Sequence, residues 1–160
     1  MSLKIKTYKL GLLQAKSFRF LKNKGNNSLA RHGIDTTSWA ILGLICDKKE
    51  ITKTELAKEL LFKKPFITGI IQDLEKKKLV HQEVDKKDTR STKLSLTKIG
   101  QEFVDKVEME MSLGYGMFLA IFPPKDFEAY LNFIEKVGQI SDWEDQKNPK
   151  MSSSDKEYLR

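Results

Sequence analysis

Apolar positions recur along the chain with helical spacing almost everywhere, and with strand spacing in one place only. Ile5, Tyr8, Leu12 and Ala15, together with Leu10, Leu13, Phe20 and Leu21, predict a helix over residues 4–23 with more than one apolar face. Lys24-Gly25-Asn26-Asn27-Ser28 reads as its stop. Asp35 is placed to cap a second helix whose inner side is Trp39, Ile41, Leu42 and Ile45. Thr52-Lys53-Thr54-Glu55 has the spacing of a capping box, in which hydroxyl and carboxylate each satisfy an open backbone N–H. Leu56, Ala57, Leu60 and Leu61 follow as the apolar side of a short third helix. Phe62-Lys63-Lys64 is a tight connection. Pro65 suits the first turn of a fourth helix, where a missing N–H costs nothing. Ile67, Ile70, Ile71 and Leu74 form its inner stripe, and Lys64, Phe66, Thr68, Gly69, Gln72 and Asp73 its outer face.

The period then changes. Leu79–Val84 and Thr92–Leu96 read as two short strands around the polar, basic stretch 85–91, a hairpin with a charged tip. Thr97 can cap a fifth helix with Ile99, Phe103, Val107, Leu113, Met117, Phe118 and Ile121 on its apolar side, although Gly114 and Gly116 weaken its continuity. Pro123-Pro124 ends it. A sixth helix carries Phe127, Tyr130, Leu131, Ile134 and Val137 in register. The polar stretch from Asp142 to Arg160 reads as a loose tail on which Trp143 can dock. The expected organisation is an N-terminal dimerisation helix (1–30), a winged helix-turn-helix (31–100), C-terminal dimerisation helices (101–140) and a polar tail (141–160). The fold class is mainly α with a small β-hairpin wing.

Charge sharpens this picture. Residues 1–34 hold eight Lys/Arg and no acid, residues 35–100 fourteen against ten acids, and residues 101–139 three against seven. A basic first hundred residues beside an acidic segment fits a protein that turns one face to a polyanion. Several chemistries drop out. The single cysteine, Cys46, forms no internal disulfide and reads as a buried, inert thiol at the apolar end of the second helix. His32 and His81 stand apart without companion ligands, so no metal site is expected. No nucleophile–base pair, phosphate loop or dinucleotide fingerprint occurs, so neither catalysis nor a cofactor is expected. No run of about 18 apolar residues suggests a membrane span, and the basic N-terminus lacks a cleavage site, which points to the cytoplasm.

Short helices followed by a basic hairpin describe a winged helix-turn-helix, whose second helix of the turn enters the major groove while the hairpin reaches backbone or minor groove. Here the chain resembles the MarR family of transcription regulators. The stretches that carry the resemblance are HGIDTTSWAILGLI, ITKTELAKELLFKKPFITGIIQDLEKKKLV and DKKDTRSTKLSLTKIG, across about residues 32–103. The family's wing signature, close to D-x-R-D-x-R followed by apolar-x-Leu-Thr-x-x-Gly, stands here as Asp85-Lys86-Lys87-Asp88-Thr89-Arg90 and Leu96-Thr97-Lys98-Ile99-Gly100. The resemblance implies a homodimer, interlocked through its outer helices, on a pseudo-palindrome with half-sites about 34 Å apart. It also implies a sequence-specific regulator, a repressor, released by a small aromatic effector.

Residue roles follow as expectations. Lys63, Lys64, Phe66, Thr68, Gly69 and Gln72 lie on or near the reading face. Gln72 suits adenine, Phe66 a thymine methyl or the packing beneath the helix, and Lys64 a phosphate. On the wing, Arg90 suits a narrow minor groove, Asp88 orients it, and Lys86 and Lys87 attract phosphate. Tyr8, Leu12, Trp39, Tyr115, Phe118 and Phe122 are candidates to line an effector pocket. Gly69, Asp73 and Lys87 depart from the arginine-rich family pattern. They motivate a second reading, a winged protein-interaction module with weak or non-specific DNA binding.

Overall fold

The computed structural model describes residues 5–85 and 91–147, the stretch 141–147 by backbone alone. Among the described residues, six helices and three short strands run in the order α1 (Thr7–Ala30), α2 (Thr36–Lys48), β1 (Ile51–Thr52), α3 (Lys53–Glu59), α4 (Lys64–Lys76), β2 (Val80–Val84), β3 (Thr92–Leu96), α5 (Lys98–Leu119), α6 (Pro124–Lys147). The chain falls into two compact units, residues 1–111 and 112–160.

The first unit holds one apolar core. Leu29 of α1, Ile41, Leu42 and Ile45 of α2, Leu56 of α3, Ile67, Ile71 and Leu74 of α4, and Val104, Val107 and Met111 of α5 meet Ile51, Val80 and Leu94 from the sheet. The sheet is antiparallel with order β1-β3-β2; Val80 pairs with Leu96, Val84 with Thr92, and Ile51 with Leu94. The third strand, β1, is not expected from the sequence. Two residues are too short to show a period, and only pairing with β3 makes them a strand.

Local chemistry sets the element ends. The Asp35 carboxylate accepts from the Ser38 N–H at 2.8 Å, and the capping box at α3 is complete, with the Glu55 carboxylate on the Thr52 N–H at 2.7 Å. The Thr97 hydroxyl accepts from the Gly100 N–H at 2.9 Å and opens α5. Both α3 and α4 end in the same paired-bond motif. The Phe62 N–H reaches the Ala57 carbonyl and the Leu61 N–H that of Lys58; the Leu79 N–H reaches Leu74 and the Lys78 N–H reaches Glu75. The left-handed residues in these turns are Leu61, with φ of 54°, and Lys78, with φ of 59°. Glycine is the usual residue at such positions.

The structure corrects several expectations. α1 does not stop at Lys24–Ser28 but runs to Ala30. Gly25 and Leu29 are both buried, the Asn26 side chain accepts from the Thr36 N–H, and Ser28 donates to the Lys24 carbonyl, so packing overrides weak propensity. Leu61 leaves the helical face and is exposed. Of the expected apolar side of α5, Val107 is buried and Phe103 packs against the core, joined by Gly100, Val104 and Met111, whereas Ile99, Leu113, Met117 and, just past the helix, Ile121 are exposed. Gly114 and Gly116 do not break that helix, and α6 continues into the expected tail as far as Lys147. The Trp143 side chain lies outside the described residues. Cys46 is half-buried, not sealed, and its sulfur lies 3.5 Å from the Gln101 amide nitrogen. In the second unit, Phe118 and Phe122 meet edge to face across the end of α5, and no α6 residue described with its side chain is buried. Among the described residues, no helix is long and apolar enough to cross a membrane.

Candidate nucleic-acid interface

The candidate site is the α3–α4 pair, and its geometry follows from the way α4 is anchored. Ile67, Ile71 and Leu74 are buried on one side, and Ile70 is half-buried. That stripe fixes the rotation of α4, so the opposite side has to face water. Lys64, Pro65, Phe66, Gly69, Gln72 and Asp73 are exposed there, and Lys63 precedes the helix in extended backbone. Of the six sequence-derived positions, Lys64, Phe66, Gly69 and Gln72 are exposed on the helix, Lys63 is exposed just before it, and Thr68 is half-buried.

Three details refine their chemistry. Thr68 is half-buried and donates its proton to the Lys64 carbonyl at 2.9 Å, which leaves its oxygen as an acceptor. Asp73 pairs with the Lys76 ammonium at 3.1 Å, which offsets its charge. Phe66 does not pack beneath the helix; it is half exposed, and its ring meets that of Phe62 at 4.8 Å between centroids. The first turn of α4 holds no acid but two lysines at or beside it. Cations there oppose the helix dipole, and the arrangement becomes favourable when an anion docks at the same end.

The wing is built on β2 and β3, closed at its base by the Asp85 N–H on the Ser91 carbonyl at 2.9 Å. Lys93 at its root bonds to Glu50 at 2.7 Å, and that bond raises the ammonium pKa. Lys86, Lys87, Asp88 and Arg90 lie outside the described residues. Thr97 and Gly100 explain the motif that follows the wing. Thr97 caps α5 and also donates to the Lys78 carbonyl at 2.6 Å. Gly100 presses on the strand entrance so closely that an added Cβ would stand 2.0 Å from the Leu79 carbonyl oxygen.

The effector candidates divide between the two units. In the first, Tyr8 and Leu12 are exposed on α1 and Trp39 is partly buried against the core. In the second, Tyr115 and Phe122 are exposed and Phe118 is half-buried. Among the described residues, no cluster of three or more His, Cys, Asp or Glu could hold a metal ion.

A sequence model of the MarR family matches residues 32–91, the stretch from just after α1 to the residue before β3. The HTH-type transcriptional regulator MhqR of Bacillus subtilis (strain 168) is 20% identical over 133 residues, covering 83% of this chain and 92% of the relative. Over this stretch the chain resembles the MarR family in sequence. Two solved structures share the fold: the S. aureus MepR–DNA complex and NadR in complex with 4-hydroxyphenylacetate. The first has a TM-score of 0.69 at 23% identity over 83% of this chain and 96% of that one. The second has a TM-score of 0.69 at 22% identity over 88% and 98%.

Two contacts are not announced by the sequence. Phe62 reads in sequence only as connection, because the partner of its ring depends on the left-handed turn at Leu61. The Glu110 carboxylate on α5 joins Arg31 at 2.8 Å and His32 at 3.1 Å just beyond α1. No local spacing announces a contact between positions so far apart along the chain.

Proposed function

We propose that this chain is a homodimeric, sequence-specific DNA-binding repressor that lays α4 in the major groove at each half of a pseudo-palindromic operator. The observation that carries the reading is the fixed rotation of α4. Its buried stripe holds Lys63, Lys64, Phe66, Gly69 and Gln72 outward on a basic unit. Lys63 and Lys64 meet phosphate at the helix N-terminus, and Gln72 reads an adenine edge. The wing residues Lys86, Lys87, Asp88 and Arg90 reach the flanking backbone and minor groove. Likeness to a protein solved on DNA supports this part. A small aromatic effector, bound better by the DNA-incompetent conformer, releases the operator; likeness to a protein solved with 4-hydroxyphenylacetate supports that part. Tyr8, Leu12, Trp39, Tyr115, Phe118 and Phe122 are its candidate contacts.

One observation favours the second reading. Leu61, Phe62 and Phe66 expose apolar surface beside the reading face, as a protein-interaction module would. Fluorescence anisotropy separates the two. The protein is titrated into the duplex flanking its own gene, into a duplex enriched by selection from random sequence, and into a shuffled control, at low and near-physiological salt. A repressor prefers an enriched or native duplex over the shuffled one by about 10³-fold or more, with a steep salt slope. Weak binding to all three, erased by salt, decides for the interaction module.

A further inference from the structure

We infer that Phe66, held from behind by Phe62, reads the 5-methyl group of a thymine and favours thymine at the positions it contacts in the operator half-site. The inference rests on the DNA-binding reading above. Phe66 lies half exposed near the start of α4, on the side opposite the buried Ile67 and Ile71. Its ring centroid is 4.8 Å from that of Phe62, with the planes tilted by 49°. Phe62 sits in the turn that follows the left-handed Leu61, so backbone geometry sets where it stands. An exposed ring that already leans on a second ring has less freedom to lose when it makes contact.

The rest of the reading face narrows the choice of target. α4 contains no arginine, the side chain that most often reads guanine. Asp73 and Lys76 offset one another, which leaves the middle of the face uncharged. Gly69 stands one turn beyond Phe66, and a Cβ there would meet nothing within 4 Å, so the backbone can approach base edges closely. Gln72 follows one turn later with an amide suited to adenine. An apolar ring and an amide on one stripe match the thymine methyl, the apolar group displayed on base edges in the major groove, and the adenine edge.

The test replaces thymine by deoxyuridine, one position at a time, in the duplex enriched by selection. This removes the methyl group and keeps base pairing. Wild-type protein is expected to lose about fourfold in affinity at one or two positions per half-site, the worth of one buried methyl. Phe66→Ala is expected to bind more weakly and to be indifferent to deoxyuridine at those same positions. Phe66→Gln is the second variant and has the same expected indifference; circular dichroism reports whether either variant keeps its fold. Wild-type binding unmoved at every thymine overturns the inference. So does a Phe66 variant that keeps the full deoxyuridine sensitivity. If selection enriches no duplex for the wild type, the DNA-binding reading itself falls, and this inference with it.

Discussion

Gly100 shows how one residue ties the helix-turn-helix to the wing. An alanine Cβ there would stand 2.0 Å from the Leu79 carbonyl oxygen, which also accepts the Thr97 N–H at 3.0 Å. The obstacle is backbone, so no rotamer change relieves it. Gly100→Ala is expected to destabilise the first unit by about 3 kcal/mol, read as a lower urea midpoint at unchanged slope. Leu61 is the opposite case. It holds φ of 54° with its side chain largely in water, so strain is present and little packing depends on the side chain. Leu61→Gly is expected to stabilise the fold by about 0.5–1 kcal/mol, less than the full left-handed penalty because glycine also loosens the unfolded chain. An unchanged or lower midpoint would show that Leu61 contributes packing not visible in its exposure. The strain sits at the turn between α3 and α4.

At the scale of elements, the capping box at α3 gives a pH signature. Bonds from the Thr52 backbone N–H and then its hydroxyl hold the Glu55 carboxyl below its ordinary pKa. A depressed carboxylate stabilises the fold fully above its unfolded value, about 4.3, and loses that contribution as pH falls through the folded value. Glu55→Gln keeps the hydrogen-bonding shape without the charge. Wild type is therefore expected to exceed Glu55→Gln in urea midpoint at neutral pH, with the gap closing below about pH 4. A gap that persists in acid would mean that charge is not its source. This box, the Asp35 cap and the inner stripe of α4 are legible in the sequence because each lies within one or two helical turns. The end of α1 is not, because Gly25 and Leu29 are held by distant residues that overrule a local stop signal. The buried stripe of α5 includes Gly100, which a count of apolar side chains does not reveal, because only its lack of a Cβ lets it lie against the Leu79 backbone. The outward face of α4 is legible by subtraction, yet the Phe62–Phe66 contact is not, because it depends on the left-handed turn at Leu61. For the wing, Arg90→Ala is expected to weaken binding to the enriched duplex by about 1–3 kcal/mol with circular dichroism unchanged. Unaltered affinity would remove Arg90 from the reading.

At the scale of the whole molecule, the question is what covers the outer helices. α1 exposes Tyr8, Leu12, Leu13 and Phe18, and α6 exposes Tyr130, Phe133, Ile134, Val137 and Ile140. Single exposed apolar residues are ordinary; rows of them along two long helices are not. A second copy of the chain is the simplest cover, since an isologous two-fold interface buries the same patch twice. It also supplies the second reading helix that a pseudo-palindrome requires. Ile134 and Val137 lie one turn apart on one side of α6, so a charge at both would be buried in such an interface without a partner. The double variant Ile134→Asp, Val137→Asp is expected to fall from twice the chain mass of 18.5 kDa to once that mass in light scattering after gel filtration. Its operator affinity should fall in parallel, because one reading head replaces two. A variant that keeps the doubled mass would place the contact elsewhere, and a wild type that already runs as a single chain would remove the dimer from the proposed function.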